Sequence, residues 1–171
     1  MAITQKIVSH LWFDNEAEEA AKYYTSIFKN SSMGKISYYG KEGFEIHGRP
    51  EGSVLTVAFK LNGQEFIALN GGPVFKFNES VSFMVMCESQ EEIDYYWEKL
   101  SAEGDEKAQQ CGWLKDKYGL SWQVAPKILN DMIADQNRER ADRVMKVMLQ
   151  MKKLNVEALK KAYGGESIVH Q

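Results

Sequence analysis

Apolar residues follow two different spacings at the start of this chain. Residues 6–13 mix β-branched and aromatic side chains, which is typical of a strand. In 14–28 the apolar positions recur at helical spacing, and acidic residues gather near the start, where the helix dipole favours them. We therefore predict a strand followed by an amphipathic helix, with Asp14 or Asn15 as the N-cap.

The same pattern of strand and helix occurs a second time. The stretch 10–28 aligns with 82–100, an offset of seventy-two positions that places Glu19 on Glu91 and Tyr24 on Tyr96. Self-similarity at a fixed offset indicates duplicated structural units. Two such units packed together would enclose a groove, and we expect the functional site in that groove.

The other segments up to residue 125 carry strand and turn signals. Asn62-Gly63 is a tight-turn dipeptide and predicts a hairpin between the runs on either side of it. A poorly defined strand is predicted near Lys107, and the glycine-rich stretch 40–50 is predicted as a loop or flap. Each unit is thus predicted as β-α-β-β-β, over residues 6–73 and 80–125. The later predicted strands are 33–39, 53–60 and 65–69 in the first unit, and 111–115 and 120–125 in the second.

After Pro126 the apolar positions have only helical spacing, so 126–163 is predicted as a C-terminal helical segment and 164–171 as a disordered tail. The apolar face of this segment needs a cover. Two alternatives remain open, the domain's own sheet and the sheet of a partner subunit. The residues of that face are Met145, Met148, Leu149, Met151, Leu159 and Ala162.

Composition narrows the class of protein. The chain has 171 residues and a net charge of −3, which gives no electrostatic reason to expect binding to nucleic acid or to an anionic membrane. Its apolar runs are of strand length and too short to span a bilayer. Two cysteines, Cys87 and Cys111, and no recognisable secretion signal fit a reducing compartment. We expect a cytoplasmic protein.

Several longer motifs resemble one family. They are His-Leu-Trp-Phe-Asp-Asn-Glu-Ala-Glu-Glu-Ala at 10–20, Leu-Asn-Gly-Gly-Pro at 69–73, Cys-Gly-Trp-Leu-Lys-Asp-Lys-Tyr-Gly-Leu-Ser-Trp-Gln-Val at 111–124, and the tail around 147–153. They resemble the PhnB-like family of the vicinal oxygen chelate superfamily, which includes glyoxalases, dioxygenases and bleomycin resistance proteins. The resemblance implies an α+β fold in which residues 1–125 form paired β-α-β-β-β modules, with an open, U-shaped mixed sheet. It also implies a homodimer.

The resemblance further implies that any divalent metal binds on the first and last strands of each unit. The first-strand positions are His10 and, seventy-two residues later, Ser82. Counting four residues from the turn glycines gives Gln123 in the second unit and Ile67 in the first. Only His10 is a good ligand, and Gln123 is a weak one. We therefore expect no strong native metal site, with a divalent metal possible at His10 and Gln123.

Strand alternation gives a candidate pocket. It places His10 and Trp12 on one face of their strand, and Cys111, Trp113 and Lys115 on one face of theirs. The predicted pocket residues are His10, Trp12, Asn70, Ser82, Cys111, Trp113 and Gln123. Five of them have a structural alternative: His10 as a buried, hydrogen-bonded histidine, Trp12 and Trp113 packed in the core, Asn70 as the end of its strand, and Cys111 as an ordinary buried cysteine.

The favoured function is binding of a small metabolite in the groove between the two modules. One alternative is a metal-dependent lyase, isomerase or oxygenase-type enzyme, so whether the chain is an enzyme stays open. A second alternative is a demethylubiquinone methyltransferase, the label that members of the family often carry. Gly71-Gly72 runs into Pro73 and an extended stretch, so it lacks the following helix that an adenosylmethionine site needs.

Overall fold

The computed structural model describes residues 5–166. The chain divides into two compact units, the first ending at Lys76 and the second beginning at Phe77. The α+β class is confirmed, with a mixed sheet and a covering helix in each unit. No helix in the described range is long and apolar enough to cross a membrane.

The first unit has the predicted β-α-β-β-β order. Its sheet has the strand order β1-β4-β3-β2, with β1 parallel to β4 and the other pairs antiparallel. Asn62 and Gly63 both have positive φ angles, of 47° and 80°, as a two-residue hairpin turn requires. The elements are β1 (Ser9–Phe13), α1 (Ala17–Ile27), β2 (Ser32–Tyr38), the short α2 (Phe44–His47), β3 (Val54–Leu61) and β4 (Gln64–Asn70).

Helix α1 covers one face of this sheet. Its buried stripe includes three alanines, which allow a close approach to the strands, and Tyr24, whose ring stacks on Phe59 with centroids 6.3 Å apart. Val57 and Phe66 complete this layer from the sheet side. Burial of this apolar surface is the main stabilisation of the unit. The flap predicted over 40–50 contains α2, which both Gly43 and Gly48 flank in left-handed conformations.

The second unit carries a smaller sheet and more helices. Its strand order is β5-β7-β6, with β5 parallel to β7 and β6 antiparallel to β7. The elements are β5 (Ser82–Cys87), α3 (Gln90–Ser101), a 3-10 turn (Glu106–Ala108), β6 (Trp113–Lys115), β7 (Ser121–Pro126), α4 (Leu129–Ile133), α5 (Arg138–Met148) and α6 (Val156–Gly164).

The strand predicted near Lys107 is wrong, because this segment forms the 3-10 turn. The Asp105 carboxylate accepts a hydrogen bond from the Lys107 backbone N–H at 2.9 Å and caps the turn. Gly104 lies so close to β6 that a Cβ atom there would be 2.1 Å from the Lys115 carbonyl oxygen. The second unit is therefore β-α-β-β rather than β-α-β-β-β.

The C-terminal helices pack on their own unit, which answers the question that the sequence left open. Ala125, Leu129, Val144, Leu154 and Leu159 belong to one buried cluster that joins β7 to the three helices. Leu149 lies outside it and is 50% exposed, so its assignment to the covered face is wrong.

The Gln90 side chain ties the same segment to α3. Its Nε2 donates to the Leu154 carbonyl at 3.2 Å, and its Oε1 accepts from the Val156 backbone N–H at 2.8 Å. Helix α6 ends at Gly164, where the tail was predicted to begin, and Gly165 caps it with a left-handed conformation. Residues 167–171 lie outside the described range.

We expect Leu154→Ala to destabilise the protein by about 2 to 5 kcal/mol, because it leaves a cavity at the centre of the helical cluster. Leu149→Ala makes the same change on an exposed side chain and should stay within about 0.5 kcal/mol of the parent. Urea unfolding followed by circular dichroism measures both. Equal effects of the two substitutions would contradict this packing.

Candidate functional site

Each sheet has one face under a helix and one face without a helix, which we call its open face. In β1, Leu11 and Phe13 are buried under α1, whereas His10 is exposed on the open face and Trp12 is half-buried there. The shared face predicted for His10 and Trp12 is thus found. The alternative of a buried strand histidine is wrong, because His10 is exposed.

The open face of the first unit is mostly apolar around His10. Strand register places His10 beside Ile67, which in turn lies beside Ala58. One row further along, Trp12 lies beside Leu69. An imidazole beside aliphatic neighbours can donate or accept one hydrogen bond to a ligand, and the apolar residues can pack against its hydrocarbon part.

Trp12 is held in a fixed position. Its indole Nε1 donates to the Gly72 carbonyl at 2.8 Å, and its ring meets Phe75 edge to face at 4.9 Å between centroids. A Cβ atom on Gly71 would lie 2.2 Å from the indole ring, so only glycine fits at this position. The Gly-Gly-Pro stretch that follows β4 therefore packs against Trp12.

Asn70 was predicted as a pocket residue, but the fold uses both ends of its amide. Its Oδ1 accepts from the Ala17 backbone N–H at 2.8 Å, and its Nδ2 donates to the Val54 carbonyl at 3.1 Å. Asn70 is buried, at 7% exposure. It satisfies the start of α1, so the prediction of Asp14 or Asn15 as the side-chain cap is wrong.

Arg49 connects the flap to the loop between β1 and α1. Its guanidinium donates to the Asp14 carbonyl at 2.7 Å, to the Asp14 carboxylate at 3.0 Å, and to the Asn15 side chain. His47 is also fixed, because its Nδ1 accepts from the Arg49 backbone N–H at 2.9 Å. A cavity of about 240 Å³ lies beside Arg49 and is bordered by Asn70.

The open face of the second unit is more polar. Register places Met84, Gln123 and Trp113 in one row across the three strands, and Ser82, Ser121 and Lys115 in the next. The Gln123 Nε2 donates to the Ser82 hydroxyl at 2.8 Å. The structure thus brings three predicted pocket residues, Ser82, Trp113 and Gln123, to the same face.

Register also changes the partner assigned to His10 by the repeat. Counting four residues from the turn glycines gives Ile67 and Gln123, and their neighbours on the parallel strand are His10 and Met84. The counterpart of His10 is therefore Met84 and not Ser82. His10 and Met84 are seventy-four positions apart, two more than the offset of the repeat in the sequence.

These positions supply one imidazole, one amide, one thioether and one hydrocarbon side chain. They include no carboxylate or thiolate to offset the lost hydration of a divalent cation. Among residues 5–166 no group of three or more His, Cys, Asp or Glu side chains is arranged to hold a metal ion. The residues at the positions implied by the superfamily therefore do not fit a catalytic metal.

Cys111 does not share a face with Trp113 through strand alternation. It precedes β6 in a left-handed conformation with a φ of 53°, and its backbone N–H donates to the Met151 carbonyl at 2.8 Å. Its thiol is half-buried and accepts a contact of 3.5 Å from the Gln110 amide. Cys87, in contrast, is buried under α3, and its burial, with the nearby Glu92 carboxylate, raises the pKa of the thiol to about 12.

The chain has an α+β fold similar to that of a solved PhnB protein. The sequence model of the family described as 3-demethylubiquinone-9 3-methyltransferase matches residues 5–125, and the chain belongs to this PhnB-like family. A PhnB protein from Bacillus cereus is 39% identical, with a TM-score of 0.59 over 70% of this chain and 98% of its own.

Two more distant structures are similar to this chain. Protein PA1353 from Pseudomonas aeruginosa is 15% identical, with a TM-score of 0.53 over 72% of this chain and 98% of its own. The fosfomycin resistance protein FosX from Listeria monocytogenes is 15% identical, with a TM-score of 0.45 over 72% of this chain and 93% of its own. No curated protein matches the chain.

We expect the two thiols to differ in reactivity at pH 8. The raised pKa of Cys87 leaves almost no thiolate there, and its burial blocks a reagent, so only Cys111 should react in the native protein. Ellman's reagent should titrate one thiol per native chain and two after unfolding in guanidinium chloride. Cys111→Ser should remove the native signal, and Cys87→Ser should leave it; a native signal from Cys87 would contradict the assignment.

Proposed function

We propose that this protein binds a small organic metabolite on the open faces of its two sheets, without a resident catalytic metal. The observation that carries the proposal is the side-chain composition of these faces. They combine fixed aromatic and flexible apolar surfaces with a few polar groups, which is the usual composition of a small-molecule site. Trp12 and His10 contribute in the first unit, and Trp113, Met84 and Gln123 in the second.

The exposed methionines support a binding role. Met84 is 41% exposed and Met86 is 60% exposed, both on the open face of β5. A planar ligand that covers these exposed side chains removes apolar surface from water, which is favourable, and the flexible thioethers can adapt to the shape of the ligand. Gln123, on the same open face as these methionines, then supplies hydrogen bonds to the polar edge of a ligand bound there.

Methyl transfer, the activity in the description of the family, has less support. An adenosylmethionine site of the usual α/β type places a glycine-rich loop between a parallel strand and a helix N-terminus. After β4 the chain runs from Gly71 to Val81 without a helix, and the glycines pack on Trp12. Gly71 and Gly72 instead hold the side chain of Trp12 in position on the open face.

Ligand binding should quench the fluorescence of Trp12 and Trp113 because both lie on open faces. We expect a panel of quinones and aromatic metabolites to contain a quencher whose effect disappears in the double variant Trp12→Phe, Trp113→Phe. Trp97→Phe is the matched control, since Trp97 lies on α3, and it should retain the quenching. No saturable quenching across the panel would contradict binding.

The proposal that the ligand binds without a resident metal ion is tested separately. Elemental analysis of protein purified without chelators should find divalent transition metal well below one ion per chain, and EDTA should leave ligand quenching unchanged. His10→Ala should not alter the metal content. A stoichiometric ion that is lost on His10→Ala would favour a metal-dependent enzyme instead.

We also propose that the chain forms a homodimer, as its family resemblance suggests. Native mass spectrometry or sedimentation of the full chain measures this directly. Truncation at residue 127 is not a suitable probe, because Leu154 and Leu159 belong to the core of the second unit and their loss would unfold it.

A further inference from the structure

One buried polar atom in the second unit has no hydrogen-bond partner. The Ser121 hydroxyl lies on the central strand β7, the residue is 1% exposed, and no group among residues 5–166 pairs with its oxygen. Burial of an unpaired hydroxyl is unfavourable, because the group loses its hydrogen bonds to water. Among residues 5–166 it is the one buried side-chain polar atom without a hydrogen bond, which points to a partner that is not part of the fold.

Ser121 lies between two further hydrogen-bond donors on the open face. Ser82 is its neighbour on β5, and Lys115 is its neighbour on β6. The Ser82 hydroxyl oxygen already accepts from Gln123, so its proton is free to be donated. Adjacent strands lie about 4.8 Å apart, so two hydroxyl groups and one ammonium group form a short row of donors.

The duplicated unit shows what this row lacks. Two residues after the turn glycine, β4 carries Glu65 where β7 carries Ser121, and the cross-strand partners are Lys60 and Lys115. In the first unit the Lys60 ammonium pairs with the Glu65 carboxylate at 3.5 Å. In the second unit a hydroxyl replaces that carboxylate, and Lys115 pairs instead with Glu79, which lies outside the strands.

We propose that Lys115, Ser121 and Ser82 bind the carboxylate of a small aromatic acid. This inference rests on the proposed function and names the class of ligand. The next row, which carries Trp113, Gln123 and Met84, lies about 7 Å further along the strands, two residues at about 3.3 Å each. A planar ring can therefore lie against Trp113 and Met84 while its carboxylate reaches the donors, as charge-assisted hydrogen bonds favour.

Glu79 supplies the carboxylate that contacts the Lys115 ammonium group. Its carboxylate forms an ion pair with Lys115, and the hydrogen bond from Lys115 lowers the pKa of Glu79. Glu79 is itself exposed, so its release to solvent is easy. A ligand carboxylate exchanges with that of Glu79, and the exchange leaves the charge of Lys115 compensated in both states.

The test is a titration of the full-length ¹⁵N-labelled chain with benzoate and with its neutral analogue benzamide, followed by amide chemical shifts. Benzoate should give saturable shifts in β6 and β7, and benzamide should bind about tenfold more weakly, because it lacks the charge that Lys115 recognises. Equal affinity for the two compounds, or no saturable shift with benzoate, overturns the inference.

Substitutions locate the site. Lys115→Met and Ser121→Ala should each weaken benzoate binding about tenfold, whereas Lys117→Met, the same change in the adjacent turn, should leave it unchanged. Glu79→Gln removes the competing carboxylate and should tighten binding, and Glu88→Gln is its control. Removal of an unpaired buried hydroxyl does not destabilise a fold, so Ser121→Ala is expected to fold normally.

The outcomes separate this inference from the proposed function. If Ser121 serves only a structural water, Ser121→Ala changes stability and not affinity for benzoate, and the inference is wrong. If neutral aromatic compounds quench Trp12 and Trp113 but benzoate does not bind, the carboxylate site is wrong and the proposed function stands. If no compound in either experiment binds, both are wrong.

Discussion

The parallel pairing of the first and last strands is the constraint on which each unit depends. A parallel pair cannot be joined by a tight turn, so the chain must cross over. In both units the crossover begins with a helix that packs on one face of the sheet and continues through at least one further strand. Successive side chains of a strand point to opposite faces, so alternation decides which of them lie under the helix and which lie on the open face. His10 and Trp12 lie on the open face because Leu11 and Phe13 are needed under α1.

Two buried polar residues near the ends of strands form hydrogen bonds within the fold and do not contribute to the open faces. Asn70 completes the start of α1 and binds β3 through the two ends of one amide. In the second unit the buried Asp116 carboxylate accepts from the backbone N–H groups of Tyr118 and Leu120 and from the Trp122 indole at 2.8 Å. Both residues satisfy donors that would otherwise be buried without partners.

Patterns in the sequence predicted those parts of the fold that depend on interactions between residues close together in the chain. The helical spacing after β1 and the Asn62-Gly63 turn were sufficient for α1 and for the hairpin, since both depend on neighbours in sequence. The shared face of His10 and Trp12 also follows from alternation alone. These features could be predicted without knowing any contact between residues that are far apart in sequence.

The incorrect predictions involve contacts between residues that are far apart in sequence. Cys111 adopts its left-handed conformation where its backbone binds Met151, forty residues later. Asn70 caps a helix that begins fifty-three residues earlier. The offset of the repeat gave Ser82 as the counterpart of His10, two residues before Met84, because the register of β5 on β7 cannot be seen in the sequence.

Duplication followed by divergence explains why the two open faces favour different chemistry. A site for a divalent cation needs carboxylates or several imidazoles, and the positions equivalent by register hold His10, Ile67, Met84 and Gln123. The charge that the second unit does place on its open face is positive, at Lys115, next to a serine where the first unit has Glu65. Lys115 pairs with Glu79, so an anionic ligand can take the place of that carboxylate, whereas the strands themselves offer no carboxylate to a metal ion. The substitution pattern therefore favours an acidic organic ligand over a metal centre in this unit.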